Sequence, residues 1–172
     1  MDEHQHSFNL FGIVHNQRYF DMQVAKIEKI CSIDGKVMML ELPPNYEENI
    51  QKGIFKKNFA VLLAECYRPR CARVISGDQE LTIPENPDWI LSIYLGEDYF
   101  YPDNRRDEIM RQTIERERPE IVIVGNGHSD EIKQHFPQAH YIVFEENGGY
   151  TDRFSHHGRP HRWYNPDQII TL

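Results

Sequence analysis

The sequence predicts an α/β fold: a single domain with a mostly parallel sheet flanked by helices, and a site at the carboxyl ends of the strands. Three observations carry that expectation. Short β-branched runs alternate with stretches whose apolar residues recur at helical spacing, the pattern of strand–helix–strand units. The 172-residue length fits one domain, since domains commonly run to about 100–200 residues. A content of 40% hydrophobic and 12% aromatic residues can bury an ordinary core. Residues 1–147 are expected to form the domain, with 148–172 a His-, Arg- and aromatic-rich tail packed on it.

The elements follow in order. "FNLFGIV" (Phe8–Val14) is a strand by length and β-branching, ending at His15-Asn16. Met22, Ala25, Ile27 and Ile30 then mark a helix that stops at Asp34-Gly35. "VMMLEL" (Val37–Leu42) is a buried-type strand ended by Pro43-Pro44. From Asn45 to Cys66 the spacing of Ile50, Ile54, Phe55, Phe59, Leu62 and Leu63 predicts one long amphipathic helix. Gly53 weakens it by roughly 1 kcal/mol relative to alanine. "ARVISGD" (Ala72–Asp78) reads as a third strand, whereas Gln79–Asp103, with its prolines and "WILSIYL", allows no assignment. Asp103 suits the cap of a helix carrying Ile109, Met110 and Ile114, and Pro119 marks its far end. "IVIVGNGHSDEI" (Ile121–Ile132) reads as strand, turn and short helix, and "HYIVFEE" (His140–Glu146) as another strand.

Charge narrows the partners. Nineteen basic against 27 acidic residues give a net charge of −8, which repels polyanions and argues against nucleic acid. The acidic, polar start "MDEHQHSF" does not match a signal peptide. No apolar run approaches the roughly 20 residues needed to cross a bilayer, so no membrane association is expected. Cys31, Cys66 and Cys71 lack a disulfide framework or zinc-knuckle spacing, which suggests reduced thiols and a cytoplasmic location.

In open α/β sheets ligands bind beyond the carboxyl ends of the strands. Two strand-like runs end there in the same form, "GIVH" (Gly12–His15) and "GNGH" (Gly125–His128). A single histidine after a strand is more often a hydrogen-bonded loop residue; two in matching G-x-x-H contexts argue for a shared role. Glu41, beside a buried apolar run, is costly without a partner such as a metal, an arginine or a protonated histidine. Asp78 in "VISGD" is a weaker candidate, because "GDQ" is also a good turn sequence.

A nucleotide is not expected. A dinucleotide loop needs G-x-G-x-x-G, and here Asp130 stands in place of the third glycine. With Glu131, it would oppose a phosphate at a helix N-terminus. In "RRDEIM" (Arg105–Met110), Arg106 shares a helical stripe with Met110 and Ile114. A guanidinium pointing inward from that stripe needs a carboxylate partner or an anionic ligand. The alternative is a pair of exposed arginines with snorkelling stems.

"GIVH" after the first strand, "LEL" ending the second, "RRDEIM" on a late helix and "IVIVGNGH" after it occur in that order. The order resembles the TraB/PrgY superfamily, with its Tiki, GumN and ChaN/erythromycin-esterase-like groups. Members show G-x-x-H, then V-E-L-D, then R-[DN]-x-x-M, then V-G-x-G-H. The resemblance runs from Phe8 to Phe144 and implies functional positions at His15, Glu41, Arg106 and His128. Two departures stand out. Pro43 replaces the acid of the second motif, and the segment from Pro44 to Asp103 is shorter than the helical insert that often covers the site. The superfamily is chemically divided among metal-dependent proteases, esterases with a histidine base and a haem-iron binder, so resemblance alone does not name a reaction.

The residues together suggest a hydrolase of a small amide or ester, metal-assisted if a divalent transition metal is bound. His15, Glu41 and His128 would be metal ligands or general bases, and Arg106 would bind a substrate carboxylate or an oxyanion. Two imidazoles and one carboxylate would leave coordination positions open for water. The alternative is a non-catalytic module of the same fold that binds a small molecule, peptide or metal. A separate cluster in the tail, His156, His157 and His161, could hold another metal or be a solvated surface.

Overall fold

The computed structural model describes residues 6–44, 46–52, 59–79, 103–145 and 150–152. Its first strand, β1 (Asn9–Ile13), leads through a 3-10 turn at Gln17–Tyr19 into α1 (Phe20–Ile30). β2 (Val37–Leu40) is followed by α2 (Tyr46–Gln51), α3 (Phe59–Tyr67) and β3 (Arg73–Ser76). Then come α4 (Asp103–Glu117), β4 (Ile121–Gly125), α5 (Asn126–His135), β5 (His140–Phe144) and β6 (Tyr150–Asp152). The expected α/β fold is therefore present. The helix foreseen from Asn45 to Cys66 is represented by α2 and α3. Its middle, with Gly53, lies outside the described residues, as do residues 80–102 and the tail cluster of His156, His157 and His161.

The strands form one sheet in the order β3-β2-β4-β1-β5-β6. All neighbours are parallel except β6, which runs antiparallel along β5 with Ile142 opposite Asp152 and Phe144 opposite Tyr150. Part of the expected surface tail is thus an edge strand. β4 occupies the centre, with Val122 opposite Leu10 of β1 and opposite Met39 of β2.

Alternation along the strands sends side chains into two cores, one on each face. Phe11, Ile13, Met38, Leu40, Ile121, Ile123, Ile142 and Phe144 pack with Ile27 of α1 and with Phe59, Leu63 and Tyr67 of α3. Leu10, Met39, Ile75, Val122, Val124, Tyr141 and Val143 pack with Met110 and Ile114 of α4 and Ile132 and Phe136 of α5. The result is a three-layer sandwich in which β1, β2, β4 and β5 are buried on both sides, which is why they read as continuous apolar runs.

This division positions the site. The chain leaves β2 toward β3 on one side and leaves β4 toward β5 on the other. β2 and β4 are neighbours, so their connections diverge beyond their carboxyl ends, the usual ligand position in such sheets.

Candidate active site

Glu41 directly follows β2 and stands where those connections diverge. Leu40 faces the α1/α3 layer, so alternation turns Glu41 toward α4 and α5. Its carboxylate is nearly buried and meets four donors. Oε1 accepts from Arg106 Nη2 at 2.7 Å, with His128 Nε2 3.4 Å away. Oε2 accepts from the Gly125 N–H at 2.9 Å and from His15 Nε2 at 3.2 Å.

Each donor arrives by a different route. Arg106 stands in the first turn of α4, on the stripe it shares with the buried Met110 and Ile114, and is itself buried. Its Nε and Nη2 grip the buried Asp78 in a bidentate pair, 3.0 Å to each oxygen. Asp78 is therefore a partner of the guanidinium rather than a mere turn residue, and its own N–H donates to the Leu42 carbonyl at 3.1 Å.

His128 lies in the first turn of α5, because β4 passes directly into that helix. Its Nδ1 donates to Asp107 at 2.6 Å, which directs Nε2 toward Glu41. Asp130 and Glu131 lie one turn further along α5 than the sequence suggested, and the first turn carries no acid. An anion does meet this helix N-terminus, but it is Glu41, bound through the Gly125 amide.

His15 comes from the opposite layer. Its ring edge packs on Phe59 of α3, with centroids 6.0 Å apart at 75°. To reach Glu41 it passes over Gly125, whose backbone is ordinary at φ −62° and ψ 153°. Glycine gives the imidazole its room there: a Cβ would lie 2.7 Å from His15 Nε2 and 3.3 Å from Glu41 Oε2, so any larger residue would push the ring from its place against Glu41. The turn foreseen between strand and helix is not a separate element, since the helix begins at Asn126 directly after β4.

These contacts set the charges. Burial would raise the Glu41 carboxyl, but the His128 and Arg106 charges and hydrogen bonds from His128 and His15 hold it well below the usual carboxylate range. Burial works against a charged His128 ring. The Glu41 carboxylate and the Asp107 hydrogen bond outweigh it, even with Arg106 nearby, and keep the imidazole protonated well above its ordinary 6.5. The interior of the site thus holds two cations, Arg106 and His128, among three carboxylates. His15, with a quarter of its side chain exposed, is the member that solvent reaches most.

His15, Glu41, Arg106 and His128 meet at one place, and the weaker candidate Asp78 joins them through Arg106. A metal fits less well. The three nitrogen side chains all approach Glu41 as donors, and a guanidinium occupies the flank a dication would need. Among the described residues no group of three His, Cys, Asp or Glu is arranged to hold an ion. Sequence reasoning missed Asp107 and Gln23, the latter a buried residue of α1 bonded to the main chain beside His15. Asp107 had a faint signal as the residue after Arg106 on the same helical turn. Gln23 had one as the polar residue four positions before the buried Ile27. The thiols of Cys31, Cys66 and Cys71 are free, and burial raises all three, Cys31 to about 11.

No family model, no curated protein and no solved structure matches this chain. Among the described residues no helix is long and apolar enough to cross a membrane.

Proposed function

We propose that this chain is a hydrolase of a small amide or ester, with His15 as the general base and Glu41 as the group that orients it. The observation that carries the reading is the short path from Glu41 to His15 Nε2, 3.2 Å, at the most exposed point of an otherwise sealed cluster. Glu41 is itself a poor base, since its charges and donors stabilise the carboxylate. With Nε2–H donating to Glu41, Nδ1 of His15 is free to take a proton, and among the described residues it has no hydrogen-bond partner.

Water would lose a proton to His15 Nδ1 as its oxygen attacks the carbonyl carbon. The same proton would then pass to the leaving nitrogen or oxygen as the bond to carbon breaks. First-turn amides of α5 have no partner within the helix and supply donors for the developing oxyanion. Arg106, committed to Asp78 and Glu41, acts by holding Glu41 in place. The motif order resembles that of the TraB/PrgY superfamily, and among its groups the esterases with a histidine base are the ones this reading follows.

A panel of small esters and peptides, assayed with wild type, His15→Gln and Glu41→Gln, tests it. General-base catalysis is worth about 10²–10⁴-fold, and losses of that order in kcat are expected in both variants. Equal rates in all three proteins would sink the hydrolase and favour a small-ligand or peptide-binding module. The engagement of Glu41 with Arg106, His15 and the Gly125 amide, and of Arg106 with Asp78, is the observation favouring that second reading. Metal content of protein purified without a tag, compared with His15→Ala and His128→Ala, tests the ligand set suggested by the sequence, which stoichiometric metal unaffected by either substitution would sink.

A further inference from the structure

Gln23 stands on the face of α1 that packs on the sheet and is wholly buried, one turn before the equally buried Ile27. A primary amide there must be desolvated, where leucine or methionine would add apolar packing. Both of its polar atoms are spent on one residue. Oε1 accepts the Val14 N–H at 2.9 Å, and Nε2 donates to the Val14 carbonyl at 3.0 Å. Val14 lies just beyond β1, where strand pairing has ended, and immediately precedes His15.

The far side of His15 is held by the 3-10 turn at Gln17–Tyr19 that leads into the same helix. The Asn16 N–H donates to the Val14 carbonyl at 2.8 Å, and the Asn16 carbonyl accepts the Tyr19 N–H at 2.9 Å. Asn16 Oδ1 accepts the Arg18 N–H at 2.9 Å, fixing the turn that enters α1. The ring is supported likewise: Phe59, against which His15 packs, meets Phe20 of α1 edge-on with centroids 5.0 Å apart.

We propose that Gln23 is a positioning residue for His15: its amide pairs with Val14 as a neighbouring strand would, and so fixes the imidazole against Glu41. The proposal rests on the reading of His15 as the base. If Gln23 merely satisfied the Val14 main chain, its loss would lower stability and leave the state of the ring unchanged.

The experiment compares Gln23→Met and Gln23→Glu with wild type in the full chain. Ring ¹⁵N shifts of His15 report its tautomer by NMR, and hydrolysis of a p-nitrophenyl ester reports kcat and KM. Wild type is expected to show a single Nε2–H tautomer. In Gln23→Met the shifts should move toward a mixture of tautomers. Misplacement of a catalytic group by an ångström costs up to about a hundredfold, and a fall in kcat of about ten- to a hundredfold with little change in KM is expected. Gln23→Glu keeps the acceptor for the Val14 N–H and should fall between the two. Unchanged His15 shifts in folded Gln23→Met overturn the proposal, and if that variant does not fold, unchanged shifts in Gln23→Glu do so. A tautomer change alongside a wild type that turns over no substrate upholds the positioning role and removes the hydrolase.

Discussion

Two residues with opposite pKa shifts give the site its dependence on pH. His128 is raised in the folded chain, so its contribution to stability is complete below the unfolded value near 6.5 and disappears as pH climbs through the higher folded value. Glu41 is lowered, so its contribution is complete above 4.5 and disappears as pH falls through the depressed folded value. Urea midpoints of wild type and His128→Gln should therefore differ most between 4.5 and 6.5 and converge as the solution becomes alkaline. A difference that stays flat across pH would count against the ion pair. At this scale His15 and His128 were legible because each follows a strand in the same G-x-x-H form. Glu41 was legible because a carboxylate beside "VMML" demanded a partner. Asp107 and Gln23 were not, because their value depends on which helix face meets which strand end.

Among the elements, α4 contributes most to the site's electrostatics. Its inward stripe was visible as Arg106, Met110 and Ile114, and the structure buries all three. Arg106→Met would leave Asp78 and Glu41 buried beside each other without the guanidinium, and breaking a buried pair in this way costs about 3–5 kcal/mol. Arg106→Lys keeps a charge but loses the planar fork that holds Asp78 at two points. Chemical denaturation should rank wild type above Arg106→Lys and Arg106→Met lowest. Equal stability for lysine and arginine would show that geometry is immaterial. The junction of β4 and α5 was read less well. The sequence separated strand and helix by a turn, whereas Gly125 provides room for His15 and the helix begins at the next residue.

For the whole molecule, alternating strands and helices predicted the parallel sheet but could not order it. β1, β2, β4 and β5 are apolar on both faces, so each of these four would fit the centre equally well by composition. The order is set by which connections cross which face, information that lies in three dimensions. β6 escaped notice because a three-residue strand carries little periodicity. It covers the edge of β5, and removing the chain from residue 146 onward would expose that row of unpaired amides. Self-association by analytical ultracentrifugation is the expected result, and a truncated protein that remains monomeric would show that the edge is protected otherwise.

The central place of β4 also fixes when the site can exist. During synthesis β1, β2 and β3 emerge first, but β1 and β2 are not hydrogen-bonded to each other; each pairs with β4. His15 and Glu41 thus belong to halves of a sheet with an empty slot between them until the late strand inserts. Such long-range pairing is slow compared with local helix formation. Binding or turnover should then recover in the last refolding phase, after most helical signal has returned, so the site would serve as a clock for completion of the sheet.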